Sequence, residues 1–357
     1  GQTVPVFDVF PGSLDNNGEH LALVKPGATA AQDLLISDVR YDQHLPWPTN
    51  ADGLGPSLQL VDAAQDEYRA GNWTATATND VNRVTPGRAN AGRQTLTPFP
   101  AIWINEVLPQ NLTGATDAAG DRDPWIELYN AGAADVDLSA FYLTDTYTNL
   151  AKWKFPAGAT IAAHSFLLVW ADGEPGEGSV ASPHTSFRLN PTGGSVALVR
   201  FQGSPSAAAV MDYVDYVLLT PDRSYGAVPD GEPRGRRVLY YPTPGAANNP
   251  ATPPIEVTIN EFMAANTRTL LDPATGHFDD WFELYNAGSN SVNLANWHLT
   301  DDAADLMKWT FPATNISAGN YLLVFASGKN RAVAGPPLHT SFQLDSAGEY
   351  LALVKPD

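Results

Sequence analysis

The chain has 357 residues, enough for two or three domains with cores of their own. Its 39 acidic residues outnumber 20 basic ones, for a net charge of −19; the densest basic cluster, Arg234-Gly235-Arg236-Arg237, sits in a Pro/Gly loop, so nucleic acid is excluded as a partner. There are no cysteines, which excludes disulfides, thiolate metal sites and cysteine nucleophiles, and no apolar run is long enough to span a membrane.

Short apolar runs such as Phe166-Leu167-Leu168-Val169-Trp170 and Tyr321-Leu322-Leu323-Val324-Phe325 are rich in branched and aromatic residues. Gly, Pro, Asn and Asp separate them, which predicts strands joined by turns and an all-β fold. Ser57 to Ala70 has a helical composition but no stripe of period 3.6.

In chain order, residues 1–96 run from Gly18-Glu19-His20-Leu21-Ala22-Leu23-Val24-Lys25-Pro26 to a terminator, Thr85-Pro86-Gly87-Arg88-Ala89-Asn90. Residues 97–250 open with Ile104-Asn105-Glu106 and close with a matching terminator, Thr243-Pro244-Gly245-Ala246-Ala247-Asn248. Residues 251–357 open with Ile259-Asn260-Glu261, about 155 positions after the first such block, and reach Leu351-Ala352-Leu353-Val354-Lys355-Pro356, a copy of Leu21–Pro26. A repeat of constant spacing marks a duplicated unit. By this reading 97–250 is a complete unit, 1–96 is the later half of one and 251–357 the early half. Half a sandwich leaves strand edges unpaired, so these halves are expected to be completed by another chain or by sequence outside the one given. Pro-rich linkers at Thr97-Pro98-Phe99-Pro100 and Asn249–Pro254 separate the segments.

Several blocks recur between the second and third segments. They are Ile-Asn-Glu, Trp125-Ile126-Glu127-Leu128-Tyr129-Asn130 with Trp281-Phe282-Glu283-Leu284-Tyr285-Asn286, the Leu-Thr-Asp at 143 and 299, the Lys-Trp-x-Phe-Pro at 152 and 308, and His184-Thr185-Ser186-Phe187 with His339-Thr340-Ser341-Phe342. They resemble the lamin-tail domain, an immunoglobulin-like β-sandwich, in the tandem bacterial form found in secreted and surface proteins. The resemblance implies a non-enzymatic structural, adhesive or accessory module, extracellular or on the cell surface. Expected partners are copies of itself, neighbouring repeats, or a glycan; head-to-tail joining of half-domains would give a filament. Within Trp125–Tyr129, alternation puts Ile126 and Leu128 on the core face and Trp125, Glu127 and Tyr129 on the other.

Four aspartates, Asp121, Asp123, Asp279 and Asp280, are calcium candidates; calcium is the one cofactor considered, and no spacing matches a defined calcium loop. Turn formation is the alternative for each. Glu106 with Glu127, repeated as Glu261 with Glu283, could form an acid/base pair if a cleft served them. His184 and His339 are expected to bond a backbone carbonyl at a strand entry. Trp47, between two prolines, is the candidate for stacking on a sugar, with core packing as the competing role.

Overall fold

A computed structural model describes residues 12–201, 208–333, 335 and 337–356. The fold is all-β, and the chain divides into two compact units, Gly1–Thr252 and Pro253–Asp357.

The first unit begins with a hairpin of β1 (Glu19–Lys25) and β2 (Leu34–Tyr41), followed by the short pair β3 (Gln59–Leu60) and β4 (Trp73–Thr74). The helical composition of 57–70 produces only a single 3-10 turn at Ala70–Asn72. A sandwich follows, built from β5 (Ile102–Leu108), β6 (Trp125–Asn130), β7 (Val136–Asp137), β8 (Phe141–Thr144), β9 (Trp153–Lys154), β10 (Thr160–Ile161), β11 (Phe166–Trp170), β12 (Gly193–Phe201), β13 (Ala208–Val217), β14 (Ser224–Ala227) and β15 (Arg236–Leu239). One sheet runs β11-β6-β5-β14-β15 and the other β13-β12-β8-β9, with β7 and β10 paired separately.

Alternation along β6 works as expected. Ile126 and Leu128 enter the core with Ile104, Leu143, Val169 and Leu198, while Trp125 packs outside it with Leu108 and Trp170. Each such buried aliphatic side chain contributes about 1.5–3 kcal/mol. The Asn that ends β6 has a separate task. Asn130 Nδ2 donates to the carbonyls of Ala134, Ile161 and Ala162, and its Oδ1 accepts from Gly132 N.

The second unit repeats this plan with β16 (Val257–Met263), β17 (Asp280–Asn286), β18 (Val292–Asn293), β19 (His298–Thr300), β20 (Trp309–Thr310), β21 (Asn315–Ile316), β22 (Tyr321–Ala326), β23 (Leu338–His339) and β24 (Ala352–Val354). Its sheets run β16-β17-β22-β23 and β20-β19-β24 around a core of Phe282, Leu284, Leu299 and Val324. Asn286 reproduces the bonds of Asn130, donating to Asn290 and Ile316 and accepting from Gly288 N.

Within the first unit, residues before 97 are fastened to the sandwich by buried polar contacts. The Arg69 guanidinium donates to the carbonyls of Ile102, Met211 and Pro100 and lies 3.7 Å from the centre of the Trp103 ring. Arg234 forks onto Asp38 through Nε at 2.8 Å and Nη2 at 2.6 Å. That pairing holds the Asp38 carboxyl below its ordinary range.

Candidate functional site

In the sandwich of the first unit, the Glu pair is sealed. Glu106 and Glu127 are cross-strand neighbours on β5 and β6, both fully buried. Glu127 accepts from Asn105 Nδ2 at 3.0 Å and from Gly245 N at 2.6 Å. Glu106 accepts from the Ser224 hydroxyl and from the amide and hydroxyl of Thr243. Asn248 completes the lid, donating Nδ2 to the carbonyls of Asn105 and Ala227. Burial pushes the Glu127 carboxyl up to about 8 against the pull of its hydrogen bonds, with Glu106 and Asp230 adding to the rise; burial also raises Glu106. The Thr-Pro-Gly-x-Ala-Asn terminator is therefore a polar cap over two carboxyls. An acid/base role would need solvent and substrate to reach them, and here they reach neither.

In the second unit the same two carboxyls lie open. Glu261 is exposed and Glu283 half-buried, with Asn260 Nδ2 donating to Glu283 at 2.9 Å as Asn105 does to Glu127. In the first sandwich β14 pairs with the outer edge of β5 at Tyr225–Val107 and Gly226–Glu106. Among the described residues no strand pairs with the corresponding edge of β16. Phe262, the counterpart of buried Val107, is 61% exposed. Unpaired edges with apolar side chains are sites of strand addition.

The complementary strands stand at the other end of the chain. The hairpin β1–β2 matches β12–β13 residue for residue. Leu21 lies opposite Val39 as Val196 lies opposite Val214, and both hairpins carry a bulge after the next inward-facing leucine, between Leu23 and Val24 and between Leu198 and Val199. The bulge residues are Ile36 and Met211. Val196, Leu198, Met211, Val214 and Tyr216 are core residues of the sandwich. Of their counterparts, Leu23 is 64% and Ile36 53% exposed. Beside this face is a cleft of about 430 Å³ lined by Leu21, Val39, Tyr41, Pro48, Leu58 and Trp73. The pair β3–β4 and the terminator at 85–90 likewise repeat β14–β15 and 243–248. Thr85 Oγ1 donates to Asn90 Oδ1 as Thr243 does to Asn248, and Asn90 Nδ2 donates to Leu60 O as Asn248 does to Ala227 O.

The family model of the lamin tail domain matches residues 96–217 and 250–357, well over half of the chain. The chain belongs to the lamin tail domain family. The resemblance and the immunoglobulin-like sandwich expected from it are thus borne out. A lamin tail domain is a structural or binding module of a non-catalytic family. No curated protein and no solved structure matches the chain. Among the described residues no helix is long and apolar enough to cross a membrane.

Trp47 takes the packing role weighed for it, and the two histidines depart from the contact expected of them. Trp47 is only 1% exposed, its indole Nε1 donating to Tyr213 OH and its ring 6.1 Å from that of Trp73, so it offers no face to a sugar. His184 Nδ1 meets the Asp172 carboxylate at 2.5 Å, and His339 Nδ1 meets Ser327 Oγ at 2.9 Å; among the described residues neither ring makes the expected carbonyl contact.

The aspartates divide. Asp279 is held by Lys329 Nζ and Thr275, and Asp280 accepts from Asn266 N. Asp121 is exposed and bonds through its amide to Asp117. Asp123 is buried, accepts from Arg188 Nη1 at 2.7 Å, and shares its surroundings with Asp117 and Asp172, which sequence reasoning passed over. Asp117 stands out from the sequence only once its repeat, Asp272, is aligned through the Asn that organises each loop. Asn111 Nδ2 donates to Ala115 and Asp123, and Asn266 Nδ2 to Leu270 and Asp279.

Proposed function

We propose that this protein is a non-catalytic structural element of the extracellular space or cell surface whose copies join head-to-tail. Residues 12–96 of one copy add to the second unit of the next. In the joined state β3 pairs with the open edge of β16, the terminator at 85–90 caps Glu261 and Glu283, and the bare face of β1–β2 closes over the core of Phe282, Leu284 and Leu299. The carrying observation is the register match. The strands, bulge and terminator that close the first sandwich are present again before residue 97, with Leu23 and Ile36 of their core face exposed.

One strand is supplied twice, because β24 holds in the second unit the place that β12 holds in the first and that β1 would take. β24 pairs over three residues with β19, whereas β1 arrives with seven residues paired to β2. Docking therefore displaces β24 by a longer, pre-paired strand, a form of strand addition. The contact is heterologous, so it propagates as a ring or open filament.

Sedimentation of the full chain over a dilution series tests the reading. Mass that grows with concentration is expected. A monomer whose mass is independent of concentration would overturn it.

A further inference from the structure

We infer that the sandwich of the first unit binds a calcium ion between Asp117, Asp123 and Asp172. One ligand oxygen from each of these residues lies within 4.8 Å of the others. Two oxygens on the same calcium ion, each about 2.3–2.6 Å from it, are separated by at most about 5 Å, so the spacing admits the ion. Glu177 and His184 approach Asp117 to the same limit as a separate group, with Glu177 on the solvent side. Asp123 and Asp172 are buried.

Two independent observations point to a ligand. The first is an orphan atom. Asp117 Oδ1 accepts from the amides of Gly120 and Asp121, but Oδ2 is buried and has no hydrogen-bond partner. A carboxylate oxygen removed from water without a donor is costly, and a cation supplies what the protein does not.

The second observation comes from the repeat. In the second unit Asp272 and Asp279 occupy the positions of Asp117 and Asp123, and Lys329 Nζ lies against both. The alignment is exact through this loop. Gly173 and Gly328 share a left-handed φ (84° and 72°), and the bridges Asp172–Arg188 and Ser327–Gln343 coincide. Lys329 therefore corresponds to Glu174, and Ser327 to Asp172. Where one unit carries an ammonium group among two carboxylates, the other has lost the ammonium and gained a third carboxylate. Arg188 answers one oxygen of Asp123 from an exposed position and His184 Nδ1 lies 2.5 Å from Asp172 Oδ2, which leaves Asp117, among the described residues, as the carboxylate of the three without an ion-pair partner. The all-oxygen set of aspartates selects a hard divalent cation, and its size and flexible loop favour calcium.

The test is calorimetric titration of the full chain, stripped with EGTA, with calcium chloride. One saturable site per chain is expected. It should weaken at least 10-fold in Asp117→Asn and be unchanged in Asp272→Asn. Glu174→Lys installs the second unit's own solution, so it should abolish binding while the stripped variant melts no lower than the stripped wild type. As a change at an exposed side chain, it keeps the test available should Asp117→Asn fail to fold. Absence of saturable uptake by the wild type at millimolar calcium overturns the inference. So does binding that survives both Asp117→Asn and Glu174→Lys in folded protein.

Discussion

The amide of Gly245 donates to the Glu127 carboxyl at 2.6 Å across 118 positions of sequence. A terminator that reads as a linker signal is thus bound to the motif at the other end of its own domain. The bond also joins two regions whose ionisation and folding are linked.

Glu127 carries a pH consequence whose sign follows from its direction of shift. Its folded-state value, about 8, lies above the unfolded value of about 4.3. The stability tied to its protonated form is fully present below the unfolded value and is lost as pH rises through about 8. Chemical denaturation between pH 5 and 9 should show stability falling by up to about 1.4 kcal/mol per pH unit from this group. Glu127→Gln should flatten that slope; an unchanged slope in the variant would refute the assignment.

The two copies of the shared strand predict substitutions of opposite sign. Leu23→Asp places a charge on the face proposed to dock, and should abolish concentration-dependent mass in sedimentation. Leu353→Asp weakens the resident strand β24, which pairs at Leu299. It should promote assembly at a given concentration, because the strand to be displaced is held less firmly. Equal effects of the two variants would contradict strand exchange.

Arg69 fixes the first segment to the sandwich through three backbone carbonyls. Arg69→Ala leaves those acceptors unpaired under cover, at a cost of about 1–3 kcal/mol each where water cannot reach them. Limited proteolysis should then cut within residues 12–96 while the sandwich from 97 to 250 survives. Cleavage no faster than in the wild type would show that Trp47 and the Asp38–Arg234 pair hold the segment by themselves.

Asn286 supports a prediction for the second unit alone. Asn286→Ala removes the donor to the carbonyls of Asn290 and Ile316, the latter keeping only the longer bond from Ser291 Oγ, and the acceptor of the Gly288 amide, and should destabilise that unit by about 2–4 kcal/mol in thermal melts. Asn130→Ala should do the same to the first sandwich. Retention of the wild-type melting temperature in both would remove the structural explanation for the Tyr-Asn-Ala-Gly repeat.

Much of the fold was legible because it rests on local periodicity. Ile126 and Leu128 announce their inward face by alternation, and the phase of the repeat reveals that β1 and β24 are the same strand. What escaped depends on partners distant in sequence. Nothing near Glu127 indicates that Gly245 covers it, so an outward-facing carboxyl and a buried one look alike. For Trp47 the sequence leaves packing and stacking side by side, and the partner that settles its ring inward, Tyr213, lies 166 positions away. Asp117 carries no signal of its own in the sequence, and its unpaired oxygen is visible only when Asp123 and Asp172 are brought beside it.

The bulge shared by the hairpins β1–β2 and β12–β13 has a metrical consequence. Side chains alternate with a period of two, so a hairpin entering one position out of step would turn Leu21 and Leu23 to water. The extra residue, Ile36, marks the single alignment in which both strands seat. Every junction between copies would then have the same length and twist, and an assembly of this chain would carry a ruler in each joint, advancing by a constant step however many copies it contains.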